Sequence, residues 1–414
     1  MPRPLNTPDS ALNSANLLSL AARYDGPFWA YDADIIRQRI AQLRQFDVVR
    51  FAQKACSNIH ILRLMRAAGV KVDSVSLGEI ERALAAGYQA GGDEIVFTAD
   101  LLDRPTLARV AELRIPVNAG SVDMLHQLGA CSPGHPVWLR VNPGFGHGHS
   151  QKTNTGGENS KHGIWHQELP QAVQAIQQHG LKLVGIHMHI GSGVDYAHLE
   201  QVCEAMVERV IALDQDISAI SAGGGLSVPY RYGEEAIDTQ HYYSLWHRAR
   251  ERIAAHLGHP LKLEIEPGRF LAAEAGVLVT QVRAVKDMGS RHFVLVDAGF
   301  SDLMRPAMYG SYHHISLLAE DAGQRELRET VVAGPLCESG DVFTQLEGGK
   351  VETRQLPAVS PGDYLVLHDT GAYGASMSSN YNSRPLIPEV LFDGGEAREI
   401  RRRQTIQELL ALEL

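Results

Sequence analysis

The sequence predicts an α/β plus all-β chain: an N-terminal (β/α)8, TIM-like barrel over residues 33–270 and a C-terminal β-sandwich or β-barrel domain over 271–414, with an early strand at 27–32 joining the second domain. Three observations lead there. At 414 residues the chain exceeds what one ordinary hydrophobic core encloses, so two domains are expected. Apolar, β-rich segments recur eight times before Phe270, each separated by room for one crossover helix. After Phe270 the texture changes to short alternating strands punctuated by Gly and Pro, with little helix between them.

The eight segments are 49–52, 70–75, 95–98, 115–118, 137–142, 183–190, 219–222 and 261–265. Between them lie helix signatures. Ser76-Leu77-Gly78-Glu79 reads as a capping box ahead of Ile80, Leu84 and Gly87, and 199–213 is a long amphipathic run. Eight strand-helix units in this length match a closed barrel, whereas an open doubly wound sheet would need fewer strands. The strands expected in the second domain are 277–282, 293–297, 329–333, 364–367 and 389–392.

Composition bounds the function class. Hydrophobic residues make up 44% and charged residues 21%, and no apolar stretch approaches the ~20 residues that span a bilayer. With 38 basic against 48 acidic side chains, the net charge of -10 opposes nucleic acid and other polyanions. The only basic run, Arg401-Arg402-Arg403, reads as a solvated face. The N-terminal residues form no signal-peptide core, and Cys56, Cys131, Cys203 and Cys337 show no CxxC spacing, so a reducing, cytoplasmic setting is expected.

In a barrel of this class chemistry gathers where strands end, with phosphate sites frequent after strands seven and eight. Lys54 closes the run Val48-Val49-Arg50-Phe51-Ala52-Gln53-Lys54 and is a candidate carbonyl-trapping amine. Strand seven ends in Gly223-Gly224-Gly225 and strand eight in Glu266-Pro267-Gly268-Arg269. Such glycines let backbone N–H groups approach an anion, and Arg269 adds a charged fork. Gly144, Gly146 and Gly148 imitate a dinucleotide fingerprint only superficially, since Pro143 and a polar loop replace the expected helix.

Alternation places His187 and His189 on one side of strand six. His189, nearer the strand end, can cover a planar cofactor, and Ser192 in the next turn can reach a phosphate. A core histidine, or a zinc pair with His147 or His149, are rival readings; no matching Cys, Asp or HExxH set accompanies the latter, so no metal is expected. Glu264 and Glu266 share one side of strand eight, and a carboxylate there requires a cationic partner. That partner is a structural arginine, Arg140 or Arg269, or a protonated pyridine nitrogen whose ring thereby becomes an electron sink. Lys54 as amine, the glycine turns for phosphate, His189 on the ring face and Glu266 on the ring nitrogen are together explained by pyridoxal 5'-phosphate.

These motifs, with Gly334-Pro335-Leu336-Cys337-Glu338-Ser339-Gly340-Asp341 and Gly371-Ala372-Tyr373-Gly374, resemble those of the fold type III pyridoxal-phosphate-dependent decarboxylase family over essentially the whole chain. The resemblance implies a homodimer whose active sites take residues from both subunits. It implies that Lys54 binds the cofactor, His189 stacks on its ring and Glu266 contacts its nitrogen. Ser192, Gly224, Gly225, Gly268, Arg269 and Tyr373 resemble the phosphate and substrate surroundings, and Arg305 and Tyr309 the residues that hold the substrate's distal end. Cys337 resembles the family's proton donor and Glu338 its reader of a distal ammonium, both from the partner subunit.

The resemblance implies decarboxylation of meso-2,6-diaminopimelate to L-lysine and carbon dioxide, the last step of lysine biosynthesis, and Arg305 and Glu338 offer the two signs that a substrate with a second amino-acid end requires. A thiol suits the returning proton, being protonated near neutrality yet readily ionised. Relatives acting on ornithine, arginine or carboxynorspermidine, a racemase and a non-catalytic pyridoxal-phosphate carrier are the alternatives. Two departures from the family pattern stand out: Cys56 where Asn is common, and Lys161-His162-Gly163 for a more usual Lys-Phe-Gly.

Overall fold

A computed structural model of the chain describes residues 10–146, 155–189 and 195–414. It divides into two units, one of Arg39–Ser227 with Ala236–Phe270 and one of Met1–Gln38, Val228–Glu235 and Leu271–Leu414.

In the first unit the apolar runs become eight parallel strands in chain order: Val48–Ala52, Lys71–Ser74, Ile95–Ala99, Val117–Ala119, Pro136–Asn142, Lys182–His187, Ala219–Ser221 and Lys262–Ile265. Their hydrogen-bonded order is four, three, two, one, eight, seven, six, five, and pairing of four with five closes the barrel. Register is held by facing apolar pairs such as Phe51 with Val72 and Ile186 with Ile220. Buried Ile, Leu and Val on every strand leave no room for a one-residue slip, which would turn each inward side chain outward.

Apart from Leu169–His179, which follows Glu168 without a side-chain cap, the crossover helices start where a short polar side chain can take an orphan N–H. Asn58, Asp103, Ser121, Asp195 and Asp238 all do so. At Ser76 the hydroxyl accepts from the Glu79 N–H at 3.2 Å, but the Glu79 carboxylate accepts from Val75 N–H at 2.8 Å rather than from Ser76. The expected capping box is therefore only half made, its return bond displaced by one residue. The expected strand 183–190 also ends early: it runs to His187, and Met188 donates once more to Ser221 O before the chain turns away.

The second unit is a mixed sheet centred on the long strand Gly276–Met288, which pairs antiparallel with Phe28–Asp32, Arg291–Val296 and Tyr364–Leu367. Phe28–Asp32 also pairs in parallel with Glu389–Asp393. The helix Ser14–Ala21 lays Leu17 and Leu20 on Phe28, Val279, Val366 and Phe392, forming this unit's core. Arg401-Arg402-Arg403 is not a simple solvated face. Arg401 pairs with Glu389 at 3.1 Å, Arg402 reaches Glu408 at 2.8 Å, and Arg403 donates to the carbonyls of Asp25 and Pro27. Among the described residues no helix is long and apolar enough to cross a membrane.

Candidate active site

Strand polarity brings the C-terminal ends of all eight barrel strands to one rim, so residues distant in sequence converge there. Lys54 occupies the middle of the one-turn helix Gln53–Ala55 directly after the first strand, with its side chain exposed. The turn beneath it is tied down. Gln53, fully buried, donates from Nε2 to Ser74 Oγ at 2.6 Å, and Ala52 N–H reaches Pro267 O at 3.3 Å.

Glycine is required on the neighbouring part of the rim, after strands seven and eight. A Cβ on Gly224 would stand 2.6 Å from Glu266 O, and one on Gly223 would stand 2.5 Å from Met188 O. Gly223 and Gly225 have φ of 61° and 102°, a region that disfavours side chains. Gly268 packs over the lysine turn, its virtual Cβ 3.1 Å from Ala52 O. The Gly224 N–H donates to His189 Nδ1 at 3.1 Å, so that nitrogen carries a lone pair and any proton on a neutral ring sits on Nε2. Burial, then the charges of Arg140 and Lys54, hold the His189 imidazole well below its usual pKa and keep it neutral.

Glu266 has a partner that sequence reasoning did not assign. His187 Nε2–H donates to Glu266 Oε2 at 2.8 Å, and Ser221 Oγ donates to Oε1 at 3.3 Å. Burial opposes ionisation, but His187 and Arg50 overcome it and lower the carboxyl pKa to about 2. Neither Arg140 nor Arg269 supplies the buried ion pairs of strand eight. Arg50 does, gripping Glu264 through Nε at 2.6 Å and Nη2 at 3.2 Å, with Nη1 on Asp93 O.

Asp73, on the second strand, was also missed. Burial and the neighbouring Glu266 charge push its carboxyl well above the usual range, against the pull of a Thr98 hydrogen bond and Lys54. A lone acid inside the apolar run 70–75 was the available signal. The His162 departure has a local purpose: its Nδ1–H donates to Asp100 Oδ2 at 2.6 Å while Gly163 N–H donates to Oδ1. Ser192, His147 and His149 lie outside the described residues, and Arg269 is half-buried at the start of Arg269–Ala272.

The remaining candidates belong to the second unit. Arg305 opens the five-residue helix Arg305–Tyr309, is buried, and donates from Nη1 to His313 Nε2 at 2.9 Å; Tyr309 ends that helix half-buried. Cys337 and Glu338 are exposed on one loop. Asp341 shapes it by accepting from Leu336 N–H and Phe300 N–H, while Asn382 Oδ1 accepts from Cys337 N–H at 3.0 Å and Tyr381 O–H donates to Glu338 at 2.6 Å. Tyr373 has φ of 58° and sits between Gly371 and Gly374, where added Cβ atoms would strike Ala272 O at 2.0 Å and Thr370 O at 2.4 Å.

A lysine, a neutral histidine, an ionised carboxylate and a glycine turn thus stand on one barrel rim. Residues 32–273 of the chain match the family model of the pyridoxal-dependent decarboxylase, pyridoxal binding domain. The chain is 76% identical to diaminopimelate decarboxylase of Escherichia coli strain K12 over 419 aligned residues, covering 100% of both proteins. The chain belongs to the diaminopimelate decarboxylase family. A solved crystal structure of diaminopimelate decarboxylase covers 100% of this chain and 99% of its own at 76% identity, with a TM-score of 0.98. The family's Helicobacter pylori structure, complexed with L-lysine, is 31% identical with a TM-score of 0.84, covering 96% of this chain and 99% of its own. The residues present in this family member fit pyridoxal phosphate: Lys54 offers an exposed amine at the rim, and Glu266 on the same rim is ionised despite its burial.

Proposed function

We infer that the protein decarboxylates meso-2,6-diaminopimelate to L-lysine and carbon dioxide, the last step of lysine biosynthesis, with pyridoxal 5'-phosphate as cofactor. The observation that carries this reading is the buried, ionised Glu266 on the same barrel rim as the exposed amine of Lys54. Bound pyridoxal phosphate supplies an electron sink for the pair released when the substrate carboxylate departs. Lys54 anchors the cofactor between turnovers, and Glu266, backed by His187, maintains positive charge on the ring nitrogen. His189, held neutral, would lie against the face of the ring. Ser192, Gly224, Gly225, Gly268, Arg269 and Tyr373 would hold the phosphate and the substrate.

Arg305 and Tyr309 take the distal carboxylate, and Glu338 the distal ammonium, which together select a substrate with two amino-acid ends. Cys337 returns the proton. The exposure of Cys337 and Glu338 on one loop supports their supply across a two-fold homodimer with shared sites. That none of the four cysteines forms a disulfide supports a reducing, cytoplasmic location.

Incubation with meso-diaminopimelate and pyridoxal phosphate is expected to yield stoichiometric L-lysine and carbon dioxide. Faster turnover of ornithine, arginine or carboxynorspermidine would overturn the substrate assignment. Cofactor absorbance without carbon dioxide release from any of the four would instead indicate a carrier.

A further inference from the structure

We propose that His313 is a positioning residue for Arg305, setting the orientation of the guanidinium that receives the substrate's distal carboxylate. The inference rests on the role given to Arg305 above. His313 lies eight positions beyond Arg305, past the turn at Gly310, where φ is 62° and a Cβ would stand 2.0 Å from Glu347 N. No other residue type allows that return, which brings the His313 ring back onto the helix start.

The contacts at the two ring nitrogens admit one protonation state. Nδ1 lies 2.9 Å from the His368 carbonyl oxygen, which only accepts, so Nδ1 carries the proton. Nε2 lies 2.9 Å from Arg305 Nη1, which only donates, so Nε2 is the acceptor. Both conditions are met by the neutral Nδ1–H tautomer, and a second ring proton would face the guanidinium directly. Tyr230 completes the arrangement. Its ring centroid is 4.9 Å from Arg305 Cζ and 5.5 Å from the His313 ring at an interplanar angle of 82°.

An arginine side chain otherwise turns freely about its terminal bonds, and a planar fork recognises a carboxylate only in one plane. Holding Nη1 from His313 and one face from Tyr230 removes that rotation before substrate arrives. Both His313 and Arg305 are buried, at 3% and 6% exposure, so water does not compete for the bond. A His313 that acted only as core filling would need no acceptor at Nε2.

The test compares two amide replacements. His313→Gln can place its amide oxygen where Nε2 stands, whereas His313→Asn keeps a donor for His368 O but cannot reach Arg305. His313→Asn is expected to raise KM for meso-diaminopimelate roughly tenfold or more with kcat within about twofold, because the lost contact serves binding in ground and transition states alike. His313→Gln is expected to restore KM to within about threefold of wild type. Thermal midpoints of both variants report folding separately. Equal KM values for the Asn and Gln variants would overturn the proposal. Arg305→Lys, measured alongside, separates the two levels: an unchanged KM there overturns the role of Arg305 itself, while a raised KM with a silent His313→Asn overturns only the positioning role.

Discussion

His187 Nε2 and Glu266 Oε2 lie 2.8 Å apart with both residues buried, so the carboxylate at the end of the eighth barrel strand is paired with a histidine at the end of the sixth. The pair matters because an isolated buried carboxylate would protonate, and a pyridine nitrogen held by Glu266, as proposed, would then lose its charge.

Glu266→Gln preserves size and one hydrogen bond while removing the charge. We expect kcat to fall roughly 10²- to 10³-fold, the range seen when one preorganised charge-stabilising group is lost. Cofactor content, read from absorbance, should change far less than kcat. A variant with wild-type kcat would remove Glu266 from the mechanism.

The same substitution has an acid signature. The Glu266 pKa is lowered from an ordinary 4.5 to about 2 in the folded protein, so its contribution is fully present above the unfolded value. It is lost as pH falls from about 4.5 towards about 2, and on the order of 3 kcal/mol is at stake. Denaturant titrations across that window should show a shallower loss for Glu266→Gln than for wild type. Parallel slopes would contradict the assignment.

Arg50 and Glu264 form a buried bidentate pair inside the barrel. Arg50→Met alone strands a carboxylate and should cost about 3–5 kcal/mol, whereas Arg50→Met with Glu264→Leu should recover most of it. A double-mutant cycle by urea unfolding measures the coupling. Additive losses would show that the two charges act independently.

Lys54→Ala should abolish both turnover and borohydride-fixed cofactor, because Lys54 is the amine proposed to anchor it. Mixing Lys54→Ala with Cys337→Ala subunits should return about a quarter of wild-type activity. Random pairing makes half of the dimers mixed, each with one intact site of two. No recovery despite demonstrated subunit exchange would place both residues in one subunit.

The barrel was legible because eight apolar runs at crossover spacing encode strand number locally, and parallel closure follows from helices between consecutive strands. The strands around 277–282 and 364–367 were equally readable from alternation. Ile315–Leu318, Arg354–Pro357 and Glu396–Arg401 were not, being short strands whose pairing is set by neighbours rather than by their own pattern. The half-made capping box at Ser76 has the same origin: residue spacing allows the return bond to Ser76, but local geometry gives it to Val75.

By itself the sequence determined which chemical groups stand at strand ends: the amine of Lys54, the imidazole of His189, the carboxylate of Glu266 and the bare backbone of Gly224 and Gly268. Covalent order and two-residue alternation suffice for that. Only the tertiary structure decided the pairings: Glu266 with His187, Glu264 with Arg50, Arg305 with His313. A buried charge takes whichever complementary group the closed barrel or folded sheet brings within hydrogen-bond reach, and that distance is a property of three-dimensional closure, to which spacing along the chain gives no access.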